Sequence, residues 1–379
     1  MRRRPFLAAL PALALLSRAH ALPPASLAFP RDFGAHPDFR TEWWYVTGHA
    51  RAAEREFGFQ VTFFRTRVAT TQEMQSRFAA KQLVFAHAAL TDVQGRKLWH
   101  DQRIAREGFD IAGAATGDTD VRLRDWSLVR RAGGYRARLA AADFTLDLRC
   151  AATQPVLLQG DRGLSRKGPE PRQASYYYSE PQLAVTGGVV LKGRRFECSG
   201  KAWLDHEWSQ ELLHPQAVGW DWIGMNLEDG SALTAFRLRR QDGSALWAGG
   251  SLRSRAGELQ VFGPQDVVFA PGRRWTSPLS QAAYPVEWDV RTPAGTFAVK
   301  AVIDQQELDS RASTGAIYWE GLSDLLDANG RRIGRGYLEL TGYAQRLRLG
   351  SGSRSGQPDA EDAKDTQSSQ EDRRKEQRT

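Results

Sequence analysis

Between Leu22 and Leu349 apolar and polar residues alternate in short runs, separated by turns rich in Gly and Asp-Gly. A period of two places successive side chains on opposite faces of a strand, and strands at this regular spacing predict an all-β fold of barrels or sandwiches. In "REFGFQVTFFRTR" (55–67), Phe57, Phe59, Val61 and Phe63 oppose Gly58, Gln60 and Thr62. "FAHAALTDVQGRKLWHDQRI" (85–104) reads as two strands around a Gln94-Gly95 turn, and 109–150 as three or four more. Over 219–252 the string "DGSAL" occurs twice, and each Asp-Gly marks a reversal. Only "SQELL" (209–213) and "TQEMQSRFAAKQL" (71–83) read as short helices.

A chain of 379 residues favours two domains. "GRRFECSGKAWL" (193–204) and "GRRIGRGYLEL" (330–340) share a Gly-Arg-Arg turn leading into an aromatic-Leu strand. The echo suggests two related β domains, each ending on a similar hairpin, over 22–205 and 206–347. Residues 1–21 read as a cleavable export signal: Arg2, Arg3 and Arg4, an apolar stretch from Phe6 to Leu16, and "AHA" at 19–21. Arg3-Arg4-Pro5-Phe6-Leu7 also resembles a twin-arginine signal. The apolar stretch is short of the roughly 20 residues that cross a bilayer. The expectation is therefore a periplasmic or secreted protein with no stable membrane span. Residues 348–379 are polar and read as a disordered tail.

Arg2, Arg3, Arg4 and Arg18 carry half of the net charge of +8, so the mature chain is mildly basic. Its charge is spread out, unlike the clustered footprint of a nucleic-acid binder. Cys150 and Cys198 are the two cysteines; an oxidising compartment permits a disulfide, and two buried thiols are equally compatible with the sequence. No His pair has metal-ligand spacing, no cofactor motif is present, and there is neither a P-loop nor a Gly-x-Ser-x-Gly element.

In "KAWLDHEWSQELL" (201–213), alternation puts Leu204, His206 and Trp208 on one face and Asp205 and Glu207 on the other. "EWWY" sets Trp43 and Tyr45 against Glu42 and Trp44. "SYYYSE" pairs Tyr176 with Tyr178. "GWDWIGMN" aligns Trp220 and Trp222 opposite Asp221. Such aromatics either fill cores or wall a pocket for a long apolar ligand. His206 is either a catalyst or a histidine held by hydrogen bonds where the two domains meet. His87 reads as core, while His36 and His49 lie near a rim. The long segment 159–180 is rich in Gly, Pro and charge, as functional loops often are.

Seven motifs in order, "TEWWYVTGH", "FAHAALTD", "YYYSEPQLAVTGG", "AWLDHEWSQELL", "VGWDWIGMNLEDGSAL", "YPVEWDV" and "GYLELTGY", resemble the AttH-like family of exported two-barrel, lipocalin-like proteins, which includes carotenoid 1,2-hydratases. The resemblance spans about residues 35–345. It implies two packed lipocalin-like barrels with a ligand cavity at or between them, and an association with ABC-type export systems. His206 and Trp208 match a His-x-Trp motif that it assigns to the hydratases. The Tyr-x-Asp that those enzymes carry about 25 residues downstream is missing, with Leu233 and Ala235 near its place.

Three readings follow. The first is an exported binding protein holding a hydrophobic isoprenoid, polyene or lipid against Trp43, Trp44, Tyr45, Tyr176, Tyr178, Trp208, Trp220 and Trp222, in the service of an ABC permease. The second is a hydratase or cyclase, with His206 and Asp205, Glu207 or Asp221 as acid or base. A carboxylic acid that protonates an alkene needs a raised pKa, which burial supplies, and an indole face stabilises the cation. The third is an envelope scaffold without catalysis.

Overall fold

The computed structural model describes residues 21–347 except 25 and 54. Apart from Ala21, the expected signal lies outside the described residues, as does the tail over 348–379.

Thirteen strands form the first sheet. They are β1 Thr41–Ala52, β2 Arg55–Arg67, β3 Gln82–Asp92, β4 Lys97–Arg106, β5 Ala112–Ala114, β6 Asp120–Leu123 and β7 Trp126–Arg131. They continue with β8 Gly134–Ala140, β9 Phe144–Ala151, β10 Leu157–Leu158, β11 Leu164–Arg166, β12 Ala174–Leu191 and β13 Arg194–Glu211. The order is β4-β3-β2-β1-β13-β12-β9-β8-β7-β6-β5, with β10 and β11 added to β12.

The second half supplies β14 Gly219–Leu227, β15 Ala232–Arg239, β16 Ala245–Arg253, β17 Leu259–Phe262, β18 Val268–Pro271 and β19 Arg274–Thr276. After these come β20 Ala283–Pro285, β21 Glu287–Thr292, β22 Gly295–Ala301, β23 Glu307–Ser310, β24 Ala316–Leu326 and β25 Arg332–Leu340. Its ten-stranded sheet runs β17-β16-β15-β14-β25-β24-β22-β21-β18, with β23 on β24, and β19 pairs with β20 separately. The fold is all-β, two antiparallel lipocalin-like sheets each wrapped round its own core.

The internal echo has a structural counterpart. Its two Gly-Arg-Arg turns lead into β13 and β25, and each of these final strands pairs with the first strand of its sheet, β1 or β14. The two Asp-Gly reversals join β14 to β15 and β15 to β16, with Gly230 and Gly243 at φ +95 and +82. That left-handed conformation is the one a side chain disfavours.

Neither expected helix forms. Ser209 and Glu211 stay extended in β13, opposite Thr41 and Ala174. Beyond the 3-10 turn Ala69–Thr71, the Thr71 and Gln72 side chains bond the carbonyls of Val68, Ala80 and Lys81 and close a loop instead. β13 also runs past the expected domain boundary at 205/206. The chain crosses between the sheets over 212–218, so His206 and Trp208 belong to the first sheet.

Apolar residues gather in three places. Trp44, Phe57, Phe59, Phe63, Leu204 and Trp208 help fill the first sheet's interior. Ile223, Met225, Trp288 and Trp319 help fill the second's. Tyr45, Trp203, Trp222, Phe236, Leu322 and Tyr337 pack in the seam between them. The approach is close: a Cβ on Gly58 of β2 would stand 2.8 Å from the Tyr337 hydroxyl and 3.0 Å from Leu322 Cβ. We expect Gly58→Val to force the sheets apart and lower stability by about 1–3 kcal/mol, measurable by urea unfolding. Cys150 and Cys198 are buried free thiols. They sit on β9 and β13 with β12 between them, about 10 Å across two strand spacings and beyond disulfide reach.

Candidate active site

The two faces of β13 serve two different environments. Leu204, His206 and Trp208 enter the core of the first sheet, while Trp203 faces the seam with Asp205 and Glu207. β1, paired beside it, splits the same way. Trp44 packs in the core and Glu42 reaches His206, whereas Trp43 and Tyr45 join the seam.

Inside the first sheet, His206 Nε2 donates to Glu42 Oε1 at 2.9 Å, and its Nδ1 accepts from the Tyr178 hydroxyl at 3.0 Å. Burial lowers the His206 pKa to about 4 against the pull of Glu42, so the ring is neutral at pH 7 and these two bonds fix its tautomer. Burial also pushes the Glu42 carboxyl upward. Hydrogen bonds from His206 and His36, with the charge of Arg65, outweigh burial and hold it well below the usual carboxylate range. Arg65 Nε donates to Glu42 Oε2 at 2.8 Å, and its other nitrogens hold Gln82 Oε1 and the carbonyls of His36 and Phe39. His36 bonds Glu42 at 2.7 Å and stacks on Trp208 with ring centroids 3.7 Å apart. Beyond Tyr178, the Tyr135 hydroxyl donates to Glu180.

Ligand atoms of His36, Glu42 and His206 lie within 4.8 Å of one another, a possible metal-ligand set that chain spacing could not disclose and the sequence reading missed. Those atoms already bond each other, and a guanidinium holds the same carboxylate. A cation here would work against the charge of Arg65, and the group behaves as an ion-pair cluster.

The seam carries a second cluster. Asp205 Oδ1 accepts from Ser179 Oγ at 2.5 Å and Trp203 Nε1 at 2.7 Å, and Oδ2 accepts from the Tyr177 hydroxyl at 2.8 Å. Burial outweighs these bonds and pushes the acid up to about 7. Lys167 Nζ, delivered by the long 159–180 segment, lies 2.9 Å from Glu207 Oε1. From the second sheet come Glu320 and Glu339, directly opposite one another on β24 and β25. Burial raises Glu339 to about 7, against a 2.9 Å bond from Trp220 Nε1 and with help from the charges of Asp205 and Glu207. Burial and the neighbouring Glu339 raise Glu320 further. Around the acids, Trp222 meets Tyr45 edge-on at 5.4 Å and Trp203 at 6.4 Å. The Tyr45 hydroxyl and Glu320 lie close enough to perturb one another, yet among the described residues neither the Tyr45 hydroxyl oxygen nor Glu320 Oε1 completes a well-aligned hydrogen bond. Such atoms call for a water or ligand.

The expected site residues thus divide. Asp205, Glu207, Trp43, Tyr45, Trp220 and Trp222 belong to the seam, and His206, Trp44, Tyr176, Tyr178 and Trp208 to the first interior. They do not wall one cavity, because neighbours in a strand face opposite ways. Asp221 is apart from both, paired in the second sheet with Arg237 at 2.7 Å and Arg239 at 3.2 Å. His87 pins the sheets together, through Tyr318 at 2.8 Å and Ser313 at 2.9 Å. Glu320, Glu339, Lys167, Tyr177 and Arg65 were not anticipated. A signal existed for two of them: the strands "AIYWEGL" and "GYLELTG" each carry one carboxylate among apolar residues.

Fold and site together define a two-sheet lipocalin-like protein with an acid cluster enclosed between the sheets. The AttH-like family model matches residues 20–343, and the chain belongs to that family. A crystal structure of a protein assigned as AttH from Nitrosomonas europaea is 50% identical, covers 85% of this chain and 99% of its own, and superposes with a TM-score of 0.80. Kievitone hydratase from Nectria haematococca is 13% identical over 84% of this chain and 93% of its own, with a TM-score of 0.66, and shares the fold. No curated protein sequence matches significantly.

Proposed function

We propose that this protein is a hydro-lyase that adds water to an alkene of a hydrophobic substrate held in the seam. The observation that carries this reading is Asp205, a buried carboxyl raised to about 7 and set among Trp203, Tyr177 and the Trp222–Tyr45 pair. An acid half protonated near pH 7 can give its proton to one alkene carbon. The cation left on the neighbouring carbon is stabilised by the indole faces. Water attacks that carbon, and its released proton returns to the carboxylate, so the catalyst is restored. Glu320 and the Tyr45 hydroxyl, neighbours whose mutual hydrogen bond is not well aligned, can hold the water between them. The kinship in fold to a hydratase is consistent with this chemistry. The signal-like leader supports an exported location, and the family association makes an ABC-type permease the natural partner.

The test is incubation of the protein with acyclic carotenoids and other polyenes, followed by mass spectrometry. We expect a product heavier by one water, and a loss of about 10²–10⁴-fold in rate for Asp205→Asn with the fold retained. Tight binding without turnover across the set would replace the catalytic reading with the binding one.

A further inference from the structure

We propose that the loop 68–81 and the turn 107–111 form a docking surface for an anionic lipid bilayer, independently of the reaction proposed above. Large apolar side chains stand in water here: Phe78 is 67% exposed, Met74 50% and Phe109 40%. The two phenyl rings come from separate connections, yet stack nearly parallel with centroids 5.6 Å apart. Arg77 lies 5.2 Å and Arg106 4.2 Å from the Phe109 ring, and both also flank Phe78. A cleft of about 280 Å³ opens beside them, lined by Ser76, Arg77, Lys81 and Gln82, with Glu107 on its wall.

Burying these rings in water-free surroundings is favourable, and beyond each other and the two arginines the described residues leave them open to water. The occupant must also accept the guanidinium groups at the same depth. A bilayer interface does both, taking aromatic rings at the acyl boundary and arginines among the phosphates. The charge set directly among the rings agrees with that occupant: Arg77 and the neighbouring Arg106 at the end of β4 flank both phenyl groups. A patch of a few exposed side chains is small for a protein interface, which buries roughly 800 Å² per partner.

Position adds to the argument. Register places Arg67 opposite Gln82, and Leu83 opposite Arg106, at the end of the first sheet where β1 begins and β13 finishes. The patch therefore stands at the same end of the first sheet as His36, Phe39 and Trp208.

The experiment is co-sedimentation of the purified protein with vesicles of phosphatidylcholine alone or mixed with phosphatidylglycerol, at low and high salt. We expect binding to the anionic vesicles that weakens with salt. Phe78→Ser with Phe109→Ser should reduce partitioning on the order of 100-fold, from the lost ring burial. Arg77→Gln with Arg106→Gln should reduce it roughly 30-fold on anionic vesicles only. Arg77, Phe78 and Phe109 lie in surface connections and Arg106 ends β4, and unchanged melting checks folding. Absence of binding at low salt, or equal binding by the variants, overturns the proposal. So does a dimer in solution that the phenylalanine variant converts to monomer, since the occupant would then be a second copy of this chain.

Discussion

Arg65→Met should destabilise the protein by about 3–5 kcal/mol, the cost of leaving one buried charge without its partner. In thermal unfolding this should appear as a fall on the order of 10 °C. The guanidinium is 1% exposed and bridges two parts of the structure. It neutralises Glu42, and it carries the carbonyls of His36 and Phe39 that tie the residues before β1 to the sheet. Without it, Glu42 keeps its bonds from His36 and His206 but loses its permanent cation. The double change Arg65→Met with Glu42→Gln should recover a large part of the loss, because the orphaned charge has gone too. If the single variant unfolds like the parent, the ion pair is not what seats this segment.

The architecture was legible because the sheet has its own arithmetic. Alternation in "EWWY", "LDHEW" and "GWDWIGMN" assigned every residue to the correct side of its strand. What alternation cannot give is which strand faces which. His36 reaches Glu42 from the segment before β1, and Glu42 reaches His206 from a strand 164 residues away. Their meeting depends on β1 pairing with β13, the first strand of the sheet with its last. The resemblance put a cavity at or between the barrels, but which residues meet across the seam was hidden for the same reason. Asp205 and Glu339 lie in different sheets, and only the packing of one sheet on the other makes a single cluster of them. The helical reading of 209–213 failed because strand pairing on both sides of β13 outweighs the local pattern.

Glu339→Gln should stabilise the protein above pH 7, on the order of a few kcal/mol, and by almost nothing below pH 4. The sign follows from proton uptake. Glu339 titrates near its ordinary 4.5 when unfolded and near 7 when folded, so between those values the native state holds the extra proton. Stability then falls as pH rises through that window, and the whole penalty is present once the buried carboxyl must ionise. The parent's own pH curve conceals this. His206 and His49, lowered to about 4, and His87, lowered to about 3, are more protonated when unfolded. They make stability rise with pH up to about 6.5 and oppose the acids there. Taking the difference between variant and parent removes the histidine contribution, since none of these rings bonds Glu339. A glutamine still accepts the Trp220 hydrogen bond, so little is lost by the exchange. The substitution also relieves Glu320, whose carboxyl is raised in part by Glu339 across the strand pair. Urea unfolding of both proteins from pH 4 to 8 measures the difference. A pH-independent gap would mean that Glu339 is solvated in the native protein, and the acid cluster between the sheets would lose the low dielectric on which its chemistry depends.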